Sequence, residues 1–64
     1  MGLSQEEKAK IYDACIRESD ELQRINSKLK SAYMFNAPVH IMDEISRNDA
    51  RINYLVNKLE SLFN

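Results

Sequence analysis

The first half of the chain carries apolar residues at alternating spacings of three and four. The stripe consists of Ile11, Cys15, Leu22, Ile25, Leu29 and Ala32. Glu18 fills its one polar gap. Such spacing places the side chains on one face of an α-helix. Because Ser4 and Glu7 have the spacing of a capping box, the pattern predicts a first helix over about residues 4–35.

The second half of the chain repeats this pattern. Its stripe consists of Ile41, Ile45, Ile52, Leu55, Leu59 and Leu62. Asn48 is the polar exception. Between the two stripes, Pro38 lacks a backbone donor and disfavours the helical conformation at Ala37. The sequence therefore predicts a bend, with Asn36 or Ala37 flanking a second helix over about residues 38–63.

Two helices joined by so short a link run antiparallel. Positions equally distant from the bend then face each other, so that Leu22 meets Ile52. Asn48 comes level with Asn26, which predicts a hydrogen bond between their side chains. The predicted fold class is all-α, an antiparallel two-helix hairpin that forms a single domain over residues 1–64.

The hairpin is expected to self-associate. A 64-residue chain buries only about 60% of the surface that its unfolded form exposes, and the lone Cys15 cannot form an internal disulfide. Met42, Val56 and Phe63 also widen the apolar face of the second helix. We expect a four-helix bundle or higher helical oligomer, most simply a homodimer. The expected oligomer core consists of Ile11, Cys15, Leu22, Ile25, Leu29, Ile45, Asn48, Ile52, Leu55, Leu59 and Leu62.

The stretch YMFNAPVHIM concentrates aromatic residues and methionines around the predicted bend. Side chains of these types are common on adaptable protein-binding surfaces. The candidate contact residues are Tyr33, Met34, Phe35, Val39 and Met42. An alternative is that they only cap the end of the core. The leading hypothesis is a small, non-catalytic interaction or regulatory protein that binds another protein through this surface.

The charged residues give a second hypothesis. Nine basic and ten acidic residues leave a net charge of -1, which excludes a strong overall attraction to nucleic acid or anionic membranes. Lys10, Arg17, Arg24 and Lys28 nevertheless line one edge of the first helix. Acidic residues four positions before most of them favour a solvated, ion-paired surface. The alternative is binding of nucleic acid or a small anionic, nucleotide-like ligand, either along this edge or between subunits.

Enzyme chemistry has few candidate residues. The one histidine, His40, shares a helix face with Asp43 and Glu44, and we interpret the two acids as partners of the helix dipole in the first turn. The sequence contains no glycine-rich phosphate loop and no Cys-x-x-Cys pair. We therefore expect no catalysis, cofactor or metal. The absence of a long apolar stretch and the unpaired Cys15 predict a cytoplasmic protein without a membrane contact.

Overall fold

The computed structural model describes residues 2–63, which form two packed α-helices. Helix α1 spans Gln5–Ala32 and helix α2 spans Val39–Leu62. The described residues contain no strand. The predicted all-helical hairpin is thus confirmed, while Met1 and Asn64, the ends of the predicted domain, lie outside the described residues.

Helix α1 begins with the predicted capping box. The backbone N–H of Glu7 donates to Ser4 Oγ at 3.1 Å, and the backbone N–H of Ser4 donates to Glu7 Oε1 at 3.2 Å. These two bonds satisfy amide groups that a helix start otherwise leaves without an acceptor. The sequence signature at this end is therefore confirmed in both of its hydrogen bonds.

The predicted end of α1 near residue 35 is wrong, since the helix ends at Ala32. The backbone N–H of Tyr33 still donates to the carbonyl of Leu29 at 3.0 Å, and the chain then leaves the helical path. A link over residues 33–38 must reverse direction and cross between axes that typically lie about 8–10 Å apart. The reversal takes residues 33–38, and Pro38 disfavours the helical conformation at the residue before it.

Helix α2 begins at Val39, and Pro38 rather than Asn36 or Ala37 occupies the N-cap position. The Pro38 carbonyl accepts the backbone N–H groups of Ile41 and Met42 at 3.0 and 3.1 Å. The first turn of α2 contains no acidic residue.

That start corrects the interpretation of the acids near His40. Asp43 and Glu44 lie in the second turn of α2, beyond the amide groups that an acidic first turn would complement. The predicted start at residue 38 does not rescue the interpretation, because Asp43 would then be the sixth residue of the helix.

The hairpin is long and thin, with extents of 50 × 14 × 14 Å. Its register is fixed at one end by an edge-to-face contact between Tyr12 and Phe63, whose ring centroids lie 5.8 Å apart. Near the bend the predicted hydrogen bond between Asn26 and Asn48 is present at 2.8 Å. These two contacts confirm that residues equally distant from the bend face each other.

The core is a single seam between the helices. Its buried apolar residues are Cys15, Ile41 and Leu55. Ser19 and Asn26 are buried beside them, and Ser19 satisfies its hydroxyl by donating to the carbonyl of Ile16 at 3.1 Å. The other apolar residues of the expected oligomer core are only half-buried. Within the described chain, no side chain is fully enclosed, because two helices cannot surround one.

Candidate functional site

The bend carries the most exposed large apolar side chains of the described chain. We define the bend surface as Tyr33, Met34, Phe35, Val39 and Met42, the contact residues expected from the sequence. Phe35 is 88% exposed, Val39 is 73% exposed and Met34 is 72% exposed. Residues 31–36 also line a shallow depression of about 490 Å³. The structure thus brings the candidate contact residues to one end of the molecule.

Local structure explains why these side chains project outward. The early end of α1 places Met34 and Phe35 in the link, where no second helix covers them. On α2, Ile41 turns inward and is 7% exposed, whereas its neighbour Met42 turns outward. Ile41 therefore closes the core at this end. Tyr33 is the least exposed of the five residues of the bend surface. The role of the bend surface in binding stays a prediction.

A polar cluster lies in the seam between the bend and the middle of the hairpin. The side-chain amide of Asn26 donates to Asp49 Oδ1 at 2.8 Å and to the carbonyl of Ile45 at 3.4 Å. Its oxygen accepts from Asn48 Nδ2. Because both ends of a buried amide have partners on the opposite helix, this cluster fixes register rather than offering a free site.

One edge of the seam carries an ion pair between the helices. Arg51 donates from Nε to Glu18 Oε2 at 2.6 Å and from Nη2 to Glu18 Oε1 at 3.1 Å. The Arg51 guanidinium also lies 5.0 Å from the centroid of the Tyr54 ring, and Lys58 Nζ lies 6.0 Å from the same centroid. This bidentate pair explains the polar gap in the first stripe.

The ion pair shifts the titration of both partners. The hydrogen bond from Arg51 lowers the pKa of Glu18 below its ordinary value of 4.5, against a smaller opposing effect of partial desolvation. The attraction to Arg51 and Lys58 lowers that pKa further. The hydrogen bond to Glu18 raises the pKa of Arg51. Both groups remain charged around neutral pH.

Matching residues by their distance from the bend does not predict this ion pair. By that rule Glu18 is level with Leu55 and Val56 rather than with Arg51. The long arginine side chain reaches one turn along the seam. The available signal was that Arg51 lies three residues after Asn48 and four before Leu55, at the margin of the second stripe.

The basic edge of α1 is partly neutralised by neighbouring acids. Arg17 Nε lies 3.1 Å from Asp13 Oδ2, which is the predicted partner. Arg24 pairs with Glu21 at 2.6 Å, however, and not with the expected Asp20. Among residues 2–63, Lys10 and Lys28 have no carboxylate within 4.0 Å. Anion or nucleic-acid binding along this edge stays a prediction.

The structure brings together no set of metal ligands within residues 2–63. His40 is exposed, and Cys15 is a free, buried thiol in the seam. Neither helix, over the described residues, is long and apolar enough to cross a membrane.

Three surfaces therefore remain as candidates: the bend surface, the interhelical ion pair and the basic edge of α1. No protein-family model, curated protein or solved structure matches the chain. The choice among the three surfaces rests on exposure, charge and contacts alone.

Proposed function

We propose that the chain is a small, non-catalytic, self-associating cytoplasmic protein that binds another protein through the bend surface and regulates or scaffolds it. The observation that carries this proposal is the exposure of Met34, Phe35 and Val39 on a link held between two helices. Exposed apolar clusters of this kind mark interaction sites more often than single exposed side chains do.

The chemistry of the bend surface supports a protein as its ligand. Phenylalanine provides a large area for burial, and methionine adapts its shape to an irregular partner. The two helices hold the link at both ends, at Ala32 and Val39. A surface that is ordered before binding loses less entropy when it docks, which favours affinity.

The basic edge is the weaker candidate. Its arginines, Arg17 and Arg24, already contact carboxylates, and a phosphate would have to displace or outcompete them. The net charge of -1 adds no general attraction for anions. We therefore keep nucleic acid as an outcome to be tested and not as the proposed ligand.

Self-association is supported by the amount of surface that the hairpin leaves exposed. Its accessible surface is 5113 Å². A compact protein of 7.5 kDa is expected to expose about 4,200 Å². The difference of about 900 Å² is close to the roughly 800 Å² that each partner buries in a standard protein interface.

A comparison of affinity captures from the native host tests the bend surface. The baits are the natural chain, Phe35→Ser and Tyr54→Ser, and protein and nucleic acid are both analysed. Tyr54 is the matched control because it is also an exposed aromatic residue but lies far from the bend. We expect a protein that the natural chain and Tyr54→Ser capture equally and that Phe35→Ser loses.

Other outcomes would contradict the proposal. Equal capture by Phe35→Ser would show that the bend surface is not the contact. Capture of nucleic acid that weakens steeply with salt and fails on charge reversal of Arg17 and Arg24 would favour the basic edge instead.

A further inference from the structure

The seam between the two helices has two sides, which differ in the side chains that they present. Helical periodicity places Tyr12 and Ile16 of α1 on the same side as Ile52, Val56 and Phe63 of α2. The contact between the Tyr12 and Phe63 rings fixes this side across the seam. We call these five residues the aromatic face.

The opposite side has a different composition. The ion pair between Glu18 and Arg51 crosses the seam there, and Tyr54 and Lys58 extend it along α2. We call these four residues the ionic face. The two faces lie on the same helices and at similar positions along the helix axes. They differ mainly in the chemistry of their side chains.

The aromatic face leaves large apolar side chains exposed. Phe63 is 61% exposed, Tyr12 is 45% exposed and Val56 is 40% exposed, although all three border the buried seam. A cleft of about 240 Å³ opens beside the aromatic pair, and it is lined by Gln5, Lys8, Ala9, Tyr12 and Phe63. The five residues of the aromatic face include no charged group.

We infer that a second copy of the chain packs on the aromatic face and leaves the ionic face in solvent. The inference rests on the proposed self-association and adds the surface through which it occurs. The surface excess of about 900 Å² matches the area that each chain buries in one standard interface.

Symmetry favours the aromatic face over the ionic face. In a two-fold dimer the same patch of each chain meets itself. The aromatic face would then bury its five uncharged side chains, while Lys8, which borders the cleft, can keep its ammonium group in water. The ionic face carries one carboxylate and two cations, so that two copies would bury an excess of positive charge and remove the Glu18 carboxylate from water, which is costly unless every charge is paired anew.

Two matched tyrosine variants test the assignment. Tyr12 and Tyr54 are similarly exposed, at 45% and 51%, and each has a lysine four residues away, Lys8 and Lys58 respectively. Sedimentation velocity of the purified natural chain, Tyr12→Glu and Tyr54→Glu would be compared over a range of concentrations. Circular dichroism would report whether each variant keeps its helices.

We expect Tyr12→Glu to weaken self-association roughly tenfold or more, because an interface cannot bury an unpaired charge without loss, whereas Tyr54→Glu should change it little. If Tyr12→Glu loses its helices, Val56→Glu decides in its place, since Val56 is on the same face and makes no hydrogen bond through its side chain. Phe35→Ser should still self-associate, which separates this test from that of the bend surface.

The inference is overturned by any of three results. A natural chain that sediments at 7.5 kDa at all concentrations would remove the second copy as occupant and leave the face to another partner. If Tyr54→Glu dissociates the oligomer and the aromatic-face variants do not, the interface lies on the ionic face. Equal dissociation by both sets would show that the interface is not confined to one face.

Discussion

At the scale of single residues, Asn26 holds the two helices at one offset. Its amide group has partners at three positions of α2: the side chains of Asn48 and Asp49 and the carbonyl of Ile45. A shift of one helix turn would break these bonds and bury the amide among apolar groups. Polar residues in heptad seams specify register in this way, at some cost in stability.

The first prediction concerns Asn48, which is the side-chain donor to the oxygen of Asn26. Asn48→Ala should lower the free energy of unfolding by about 1–3 kcal/mol, because it leaves a buried acceptor without its partner. Chemical denaturation measures the change. Asn53→Ala, at an exposed position of the same helix, is the control and should change stability little. Equal effects of the two variants would argue against a specific role for the cluster.

The second prediction concerns the pH dependence of the ion pair. The folded chain holds the pKa of Glu18 below its ordinary value of 4.5. As pH falls, the unfolded chain therefore takes up the proton first, so the contribution of Glu18 is complete above about pH 4.5 and is lost as pH drops through the folded pKa. Thermal melts from pH 7 to pH 3 should show this loss in the natural chain and a smaller one in Glu18→Gln.

A double-mutant comparison controls for unrelated acid effects. Arg51→Gln should remove the same part of the pH dependence as Glu18→Gln, and combining both should add little. Because the pair is half-exposed, concentrated salt should weaken it. If Glu18→Gln and Arg51→Gln act independently, the ion pair does not cause the pH dependence.

At the scale of helices, the sequence predicts what periodicity and capping control. The spacing of three and four, the Ser4 capping box and Pro38 were sufficient for two antiparallel helices. The end of α1 at Ala32 was not predictable in this way, because it depends on the span of the link. Ser19 was missed because its burial depends on close packing beside Cys15, which a count of apolar residues does not register.

The candidate site also has a part that the sequence predicts and a part that depends on the folded structure. The composition of the bend indicated Met34 and Phe35 as contact candidates, but the prediction extended α1 through both of them. Their exposure in the link depends on where α1 stops. The pair of Glu18 with Arg51 needed the reach of a side chain along the seam, which helix spacing alone does not give.

The third prediction compares two apolar positions in these elements. Leu55 is 2% exposed, and Leu55→Ala should lower the free energy of unfolding by about 2–5 kcal/mol because it opens a cavity in the seam. Met34→Ala, on the bend surface, should stay within about 0.5 kcal/mol. Denaturant titrations of both variants give the comparison. A large loss in Met34→Ala would mean that the bend surface belongs to the core.

At the scale of the whole molecule, the hairpin has a large surface for its small interior. The Cα radius of gyration is 14.9 Å, whereas a compact 64-residue domain is expected near 11 Å. The seam is thus one side chain deep along most of the molecule. A chain of this shape gains most from a neighbour that lies along its length.

The fourth prediction tests that arrangement by small-angle scattering. If copies pack side by side through the aromatic face, the mass should reach a multiple of 7.5 kDa while the maximum dimension stays near the 50 Å of one hairpin. Melting temperatures should rise with protein concentration, because association stabilises the folded chain. A doubled length at doubled mass would indicate contact through the ends instead.

The contact of Tyr12 with Phe63 at the end opposite the bend also determines how the hairpin would respond to mechanical force. A pull on Gln5 and Leu62, which lie at this same end, loads the aromatic pair first and leaves the rest of the seam without tension. The helices would then separate one turn after another, starting from the loaded end, instead of sliding past each other under shear. An optical trap should record a gradual opening at low force. We expect a pause when the separation of the helices reaches Asn26 and its partners on α2.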